Sequence, residues 1–195
     1  MSIRLRAGPG NGDAAPILGP GQRAVNAGGP CRVRWVGMRH PLHVVLVEPE
    51  IAGNVGAVGR SCVAAGATLW LVRPLGFLLD DRRIRRAGLD YWEHLDLRVV
   101  DDWREVEAAI RPGRLWLFST KATNIYTEAC FRPGDALAFG AESRGLPGSI
   151  LGADPGLALR IPIRPEARSL NLANAASIGL FEAVRQLGKR ADPGA

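Results

Sequence analysis

The sequence predicts an α/β layered fold with a mostly parallel sheet flanked by helices. Short apolar runs alternate with helical stretches along the chain, which is the pattern of parallel strands joined by crossover helices. Most residues of these runs are apolar, as expected for strands covered on both faces. Hydrophobic residues make up 47% of the 195 residues and charged residues 23%, so the chain is long and apolar enough for one domain with a buried core.

The regular elements begin at Leu42 and continue almost to the end of the chain. The predicted strands are 42–47, 68–72, 97–100, 115–118, 136–139 and 157–161, and the predicted helices are 55–65, 103–110 and 171–187. Gly188 is expected to end the last helix, because glycine commonly follows a helix C-terminus.

Residues 1–37 are rich in Gly, Pro, Ala and Arg and show no periodicity. This composition predicts a disordered extension or a mis-called start, with Met38 as the initiator. We therefore expect a single domain over 38–190.

The formal net charge of +6 lies mostly outside that domain. Residues 1–41 contain six arginines and one aspartate, which leaves the remainder nearly neutral. Global charge is therefore a weak argument for nucleic-acid binding, and a local cluster is a better one. Arg82, Arg83, Arg85 and Arg86 form such a cluster, either as a solvated helix face or as a patch that contacts phosphate.

Several function classes are disfavoured by the sequence. No apolar run approaches the about 20 residues of a membrane span, so no membrane partner is expected. The cysteines and histidines lack CxxC or metal-ligand spacing, so we expect no metal and no disulfide framework, and a cytoplasmic location. These residues are Cys31, Cys62, Cys130, His40, His43 and His94.

The last helix carries apolar residues on more than one face. It is either a core helix or a helix shared between the core and a homodimer interface. Its apolar and small residues are Leu172, Ala175, Ala176, Ile178, Gly179, Leu180, Phe181, Ala183, Val184 and Leu187.

Three polar and glycine-containing clusters fall at the ends of strands or at a helix start. The first, 48–62, has glycines at 53, 56 and 59 that imitate a dinucleotide-binding turn. Arg73 stands where an acidic ribose ligand is expected, which leaves an NADP site open. Asn54 and Arg60 better fit a site for an anionic or hydroxyl-bearing substrate.

The second cluster, 139–147, places Gly140, Glu142 and Arg144 at the carboxyl end of a strand, where open α/β sheets bind ligands. The third, 168–174, opens the last helix, and we expect Ser169 to cap it. Taken singly, each cluster is also compatible with an ordinary loop or helix start.

In order and spacing the three clusters resemble motifs 1, 2 and 3 of the SPOUT superfamily of RNA methyltransferases. The chain is most similar to the tRNA (cytidine/uridine wobble) 2′-O-methyltransferases, and the resemblance includes the stretch 74–93 and covers roughly 43–188. It implies a C-terminal deep trefoil knot and a homodimer with sites at the interface. Phe181 stands where the family often has Tyr, and Ala141 replaces a common proline.

The resemblance also implies site residues and a reaction. The methyl donor S-adenosylmethionine would contact Phe118, Gly140, Ile161 and Ser169. The polar active-site set would be Asn54, Arg60, Glu142, Ser169 and Asn171. The implied reaction is 2′-O-methylation of the wobble nucleotide, cytidine or uridine 34 of tRNA, with leucine isoacceptors as expected substrates.

On the same reading, the arginine cluster and Lys121 would hold the anticodon stem-loop. The 2′-hydroxyl restricts the chemistry to RNA, so no DNA substrate is expected. Arg60 stays protonated in a protein, so we expect it to bind phosphate and stabilise developing charge rather than to act as a base. Two alternatives remain, which are an NADP-binding oxidoreductase and a non-catalytic RNA-binding relative.

Overall fold

The computed structural model describes residues 42–79, 91–111 and 113–191, with side chains as far as Gly188. The predictions for residues 1–37 and for Arg82, Arg83, Arg85 and Arg86 lie outside the described residues.

The sheet has seven strands, and every pairing in it is parallel. The strands are β1 His43–Val47, β2 Thr68–Val72, β3 Leu97–Val100, β4 Leu115–Phe118, β5 Asn124–Ile125, β6 Ala136–Phe139 and β7 Ala158–Arg160. Their order across the sheet is β3-β2-β1-β6-β4-β7-β5. The predicted α/β class and parallel sheet are confirmed.

Within the described residues, four α-helices accompany the strands: α1 Ala52–Ala65, α2 Trp103–Ile110, α3 Gly148–Leu151 and α4 Leu172–Ala191. Single 3₁₀ turns occur at Trp92–His94, Tyr126–Glu128 and Pro155–Leu157. Helices α1 and α4 pack against each other on one face of the sheet, whereas α2 and α3 belong to the core on the other face.

Alternate residues of each central strand enter the two core layers. Strand side chains facing α1 and α4 are Val44, Leu46, Leu69, Leu71, Leu137 and Phe139. Those facing α2 and α3 are Val45, Val47, Trp70, Val72, Ala136 and Ala138. Because both faces are covered, the strands are apolar without interruption, which is the pattern that made them recognisable in the sequence.

Two helix boundaries differ from the prediction by three or more residues. Helix α1 begins at Ala52 rather than Val55, because the Glu142 carboxylate accepts hydrogen bonds from the N–H groups of Glu50 and Ile51 and so stabilises its first turn. Helix α4 continues past Gly188 to Ala191. Packing of the buried Leu187 outweighs the modest helix penalty of a glycine, about 1 kcal/mol.

The order in which strands are added to the sheet changes side between β1 and β6. From β1 the sheet extends through β2 to β3 on one side, and β6, β4 and β7 extend it on the other. Such a switch point leaves a crevice beyond the carboxyl ends of the strands, where ligands of parallel α/β proteins bind. The three polar clusters lie at this edge.

Candidate active site

A cavity of about 620 Å³ lies beyond the carboxyl ends of β1, β6, β4 and β7. Its size is that of a small-molecule site. The three clusters and the loop after β4 contribute to its walls. Predicted site residues that line it are Asn54, Phe118, Lys121, Gly140, Glu142, Ile161, Ser169 and Asn171.

A chain of hydrogen bonds joins the three clusters inside this cavity. The Asn171 side chain donates to Asn54 Oδ1 at 2.9 Å, and Asn54 Nδ2 donates to Glu142 Oε1 at 2.8 Å. Asn54 is largely buried, with 9% of its surface exposed. Since its amide both donates and accepts here, its orientation is fixed by two partners that are distant in the sequence.

The loop that carries Glu142 is fastened to the loop before α1 in both directions. The Glu142 carboxylate accepts from the Glu50 N–H at 2.8 Å, and the Glu50 carboxylate accepts from the Ser143 N–H at 3.0 Å and hydroxyl at 2.6 Å. Arg144 forms an ion pair with Glu48. These contacts hold the first two clusters in a fixed relation.

Gly140 allows the second cluster to fold back on itself. A Cβ at Gly140 would lie 1.9 Å from the carbonyl carbon of Gly145, so no side chain fits there. Gly145 has φ +72°, which favours glycine. Ala141, which is buried, forms an isolated bridge with Gly145, so a proline is not needed to close this turn.

The cap of α4 differs from the prediction. The Asn171 Oδ1 atom accepts from the N–H groups of Ala173 at 2.9 Å and Asn174 at 3.3 Å, so Asn171 is the cap. Ser169 lies too early, since the helix begins at Leu172. Its exposed side chain lines the cavity instead and makes no hydrogen bond to another described residue.

Arg60 does not line the cavity. It lies on the exposed face of α1, six residues after Asn54, with its guanidinium 4.8 Å from the centre of the Tyr91 ring. Six residues correspond to about 9 Å along a helix axis and about 120° around it. Within one chain, Arg60 and Asn54 therefore point in different directions, and the catalytic role of Arg60 stays a prediction.

The dinucleotide-binding alternative fits the structure poorly. Gly53, Gly56 and Gly59 lie inside α1 rather than in the turn before it, so their N–H groups do not form a phosphate-binding loop. Arg73, the residue considered for an NADP phosphate, instead forms an ion pair with Asp101 at 3.0 Å.

Nucleophilic-cysteine and metal chemistry find no support in the part of the chain that the structure describes. Burial raises the pKa of the Cys62 thiol to about 12, so this cysteine is a core residue and not a nucleophile at neutral pH. Among the described residues no group of three His, Cys, Asp or Glu side chains is placed to hold a metal ion. None of the described helices is long and apolar enough to cross a membrane.

Several lining residues were not predicted. Thr120 and Arg168 line the cavity, and Glu50 and Ser143 fasten its loops. Glu50, Ser143 and Arg168 all lie within the polar clusters, and membership of a cluster was the signal that the sequence offered for them. The contact of Glu50 with Ser143 spans 93 residues and leaves no local pattern.

Fold and site together define a parallel α/β protein whose small-molecule cavity adjoins a hydrogen-bonded Asn–Asn–Glu chain. Residues 41–181 match the model of the SpoU rRNA Methylase family. The chain belongs to this family, and the resemblance inferred from the three clusters is confirmed.

Three known proteins illustrate the relationship. The tRNA (cytidine(34)-2′-O)-methyltransferase of Burkholderia pseudomallei (strain 1106a) is 48% identical over 149 residues, which are 75% of this chain and 96% of that relative. A solved structure described as giving insights into 2-OH methylation of C/U34 on tRNA has 48% identity and a TM-score of 0.73, covering 77% of this chain and 98% of the other. The SpoU methyltransferase AviRb from Streptomyces viridochromogenes, solved with the cofactor AdoMet, has 27% identity and a TM-score of 0.69, covering 76% of this chain and 58% of that one.

Proposed function

We propose that the protein transfers a methyl group from S-adenosylmethionine to the ribose 2′-oxygen of nucleotide 34, cytidine or uridine, in tRNA. The main support for this proposal is that three clusters distant in the sequence meet in one cavity. The chain is also 48% identical to an enzyme named for this reaction. Leucine tRNAs are the expected substrates. The proposal places the enzyme in the cytoplasm and includes no DNA, membrane or metal partner.

The cavity fits the proposed methyl donor in size and in chemistry. Phe118, Ile161 and Leu146 supply apolar surface for a nucleoside, and the backbone around Gly140 reaches the cavity without an intervening side chain. Glu142 supplies negative charge in the same wall. When bound, S-adenosylmethionine would supply a methyl group on a positively charged sulfur, open to in-line attack by oxygen.

The protein's own contribution is mainly positioning. Asn54, Asn171 and Glu142 fix the relative placement of the three clusters, and orientation of two reactants can lower a barrier by about 7–11 kcal/mol in favourable cases. The Ser169 hydroxyl lines the cavity and would bind the ribose or the donor. Arg60 would bind the adjoining phosphate and stabilise charge that develops on the oxygen.

A homodimer is part of the proposal, because two features of one chain are left unexplained by that chain alone. Arg60 points away from the cavity of its own protomer. On α4, Ile178 and Phe181 expose 38% and 44% of their surfaces, which is unusual for large apolar side chains one helical turn apart. Phe181 stands where the family often has tyrosine, and its ring can pack in an interface without the tyrosine hydroxyl. A trefoil knot formed by the segments carrying the second and third clusters is proposed from family membership.

The test is incubation of the purified protein with methyl-labelled S-adenosylmethionine and total tRNA, followed by mapping of the modified nucleotide. We expect label on the 2′-oxygen of nucleotide 34, and a strong loss of label with Ser169→Ala. Label on a base, or on another nucleotide, would refute the proposal. Donor binding without any transfer would favour the non-catalytic alternative.

A further inference from the structure

A second cavity of about 410 Å³ adjoins the first. The two share Thr120, Ile161, Ile163 and Arg168, so the wall of one continues into the other. The second cavity lies along the segment that leaves β7. Three arginines at intervals of four residues line it: Arg160, Arg164 and Arg168.

The positive charge of this surface is almost uncompensated. Of the residues that the structure describes, no acidic one lines the second cavity. Arg164 pairs with Glu166 at 3.6 Å, but both side chains are largely exposed, at 90% and 75%, so the pair contributes little. Arg160 and Arg168 make no ion pair with any residue in the described part of the chain.

The backbone of the segment is restricted in a way that suits a binding surface. Pro162 and Pro165 alternate with the arginines, and each fixes its own φ angle. A restricted backbone loses less conformational entropy when its side chains engage a ligand. Planar guanidinium groups match the two oxygens of a phosphate.

The charge of the methyl donor argues that it is not the ligand of this surface. S-adenosylmethionine has one carboxylate beside its positive sulfur and its ammonium group, and it has no phosphate, so it offers too little negative charge for a run of three arginines. A nucleotide whose ribose occupies the first cavity must carry its backbone out across an adjoining surface. The second cavity is such a surface.

We infer that Arg160 and Arg164 bind backbone phosphates of the RNA strand next to the methylated nucleotide, with Arg168 at the border between the two cavities. This inference rests on the proposed function. It adds a phosphate-binding site that is separate in the sequence from the predicted cluster of Arg82, Arg83, Arg85 and Arg86. It also assigns Arg160, Arg164 and Arg168 to the RNA and not to the donor.

The test compares Arg160→Gln/Arg164→Gln with the matched double variant Arg104→Gln/Arg111→Gln. Both control arginines are exposed. Arg104 lies in α2 and Arg111 directly follows it. This helix packs against β3, which is at the edge of the sheet opposite to β5. The dissociation constant for total tRNA is measured across a series of KCl concentrations, and that for S-adenosylmethionine by calorimetry.

We expect the Arg160/Arg164 variant to bind tRNA roughly tenfold more weakly, with the slope of log K against log salt reduced by about two. Donor affinity should stay at the wild-type value, which also shows that the variant is folded. The control should keep the wild-type tRNA affinity. Arg160→Lys/Arg164→Lys retains the charges and should recover most of the salt slope.

Unchanged tRNA affinity in the glutamine variant overturns the inference, and so does a loss of donor affinity in a variant with unchanged thermal stability. Inorganic phosphate that displaces tRNA from the wild type more strongly than KCl at the same ionic strength, but not from the glutamine variant, supports the inference. Phosphate that acts on both proteins only through ionic strength overturns it. If the wild type binds tRNA through these arginines but transfers no methyl group, the proposed function fails, while the contact of these arginines with RNA phosphates stands. If it methylates tRNA and the variant binds normally, the inference fails and the function stands.

Discussion

Asn54 is the residue through which all three clusters of the cavity are connected. Its amide accepts from Asn171 on one side and donates to Glu142 on the other. The type of residue and its approximate place were predictable, since polar residues that follow a buried strand commonly face a ligand. Its partners were not, because they lie 117 and 88 residues away and the sequence carries no local trace of either contact.

Replacing Asn54 by aspartate should impair methyl transfer while leaving the fold intact. The change removes the donor to Glu142 and places two carboxylates at hydrogen-bonding distance, with a cost of about 1–3 kcal/mol. If that cost falls on the transition state, kcat/KM drops by roughly 5- to 150-fold. Steady-state methylation of tRNA measures this.

The matched control is Asn174→Asp, the same change at an exposed position in the first turn of α4, outside the cavity lining. It should retain activity. Equal activity of the two variants would contradict the role assigned to Asn54.

His43, at the start of β1, makes the free energy of unfolding depend on pH. Its pKa is lowered, first by burial and then by the positive charge of Arg98, with partial opposition from Asp96. Its Nδ1 atom accepts a hydrogen bond from Trp70 at 3.3 Å, which requires that atom to be unprotonated. The unfolded chain therefore binds more protons than the folded one as pH falls below about 6.5, and stability is lost there.

Urea denaturation at pH 7.5 and 5.5 measures this effect. We expect His43→Gln to lose less stability between the two pH values than the wild type, and His94→Gln, at an exposed position, to behave as the wild type does. A wild-type pH dependence in His43→Gln would show that other groups account for it.

At the scale of elements, the turn that begins at Gly140 determines where the second cluster can lie. Gly140→Ala would force a Cβ into the backbone of Gly145 and Leu146, so we expect the free energy of unfolding to fall by about 1–3 kcal/mol. Donor affinity should fall as well, because the displaced loop lines the cavity. Chemical denaturation and calorimetry check both effects.

Gly148→Ala is the control, since a Cβ there meets nothing within 4 Å and the position begins α3. It should be neutral or slightly stabilising. A similar loss in both variants would mean that the tight turn at Gly140 is not the cause.

Strands and helices were predictable where the pattern of apolar residues along the chain was enough to define them. Strands β2, β3, β4 and β6 were predicted with their observed bounds. Strands β2, β4 and β6 are short runs that are largely buried, and β3, at the sheet edge, was recognisable from Leu97, Val99 and Val100. The first turn of α1 was missed because its stabilising carboxylate, Glu142, comes from a distant loop. Strand β5, with two residues, is too short to carry a pattern.

At the scale of the whole molecule, the exposed apolar side of α4 points to a second copy of the chain. We expect Ile178→Glu/Phe181→Glu to shift the protein from dimer to monomer in analytical ultracentrifugation, since two charges would be buried in the interface. Methylation should fall with it if Arg60 acts across that interface. Ala108→Glu, on the exposed face of α2, should leave the dimer intact, and a wild-type protein that sediments as a monomer would refute the proposal.

The sequence could predict which segments build the site, since polar clusters at strand ends are visible without a structure. It could not predict that Arg60 would point away from the cavity of its own chain, because this depends on the extra turn at the start of α1 and on the direction of the helix. It also could not reveal the second cavity, which arises from the path of the chain after β7.

The most direct test of the account is a crystal structure with S-adenosylhomocysteine, the product left after methyl transfer. The account predicts the nucleoside in the 620 Å³ cavity, in contact with Phe118, Gly140 and Ile161 and within reach of Ser169. A ligand bound elsewhere on the chain, with this cavity empty at saturating concentration, would contradict it.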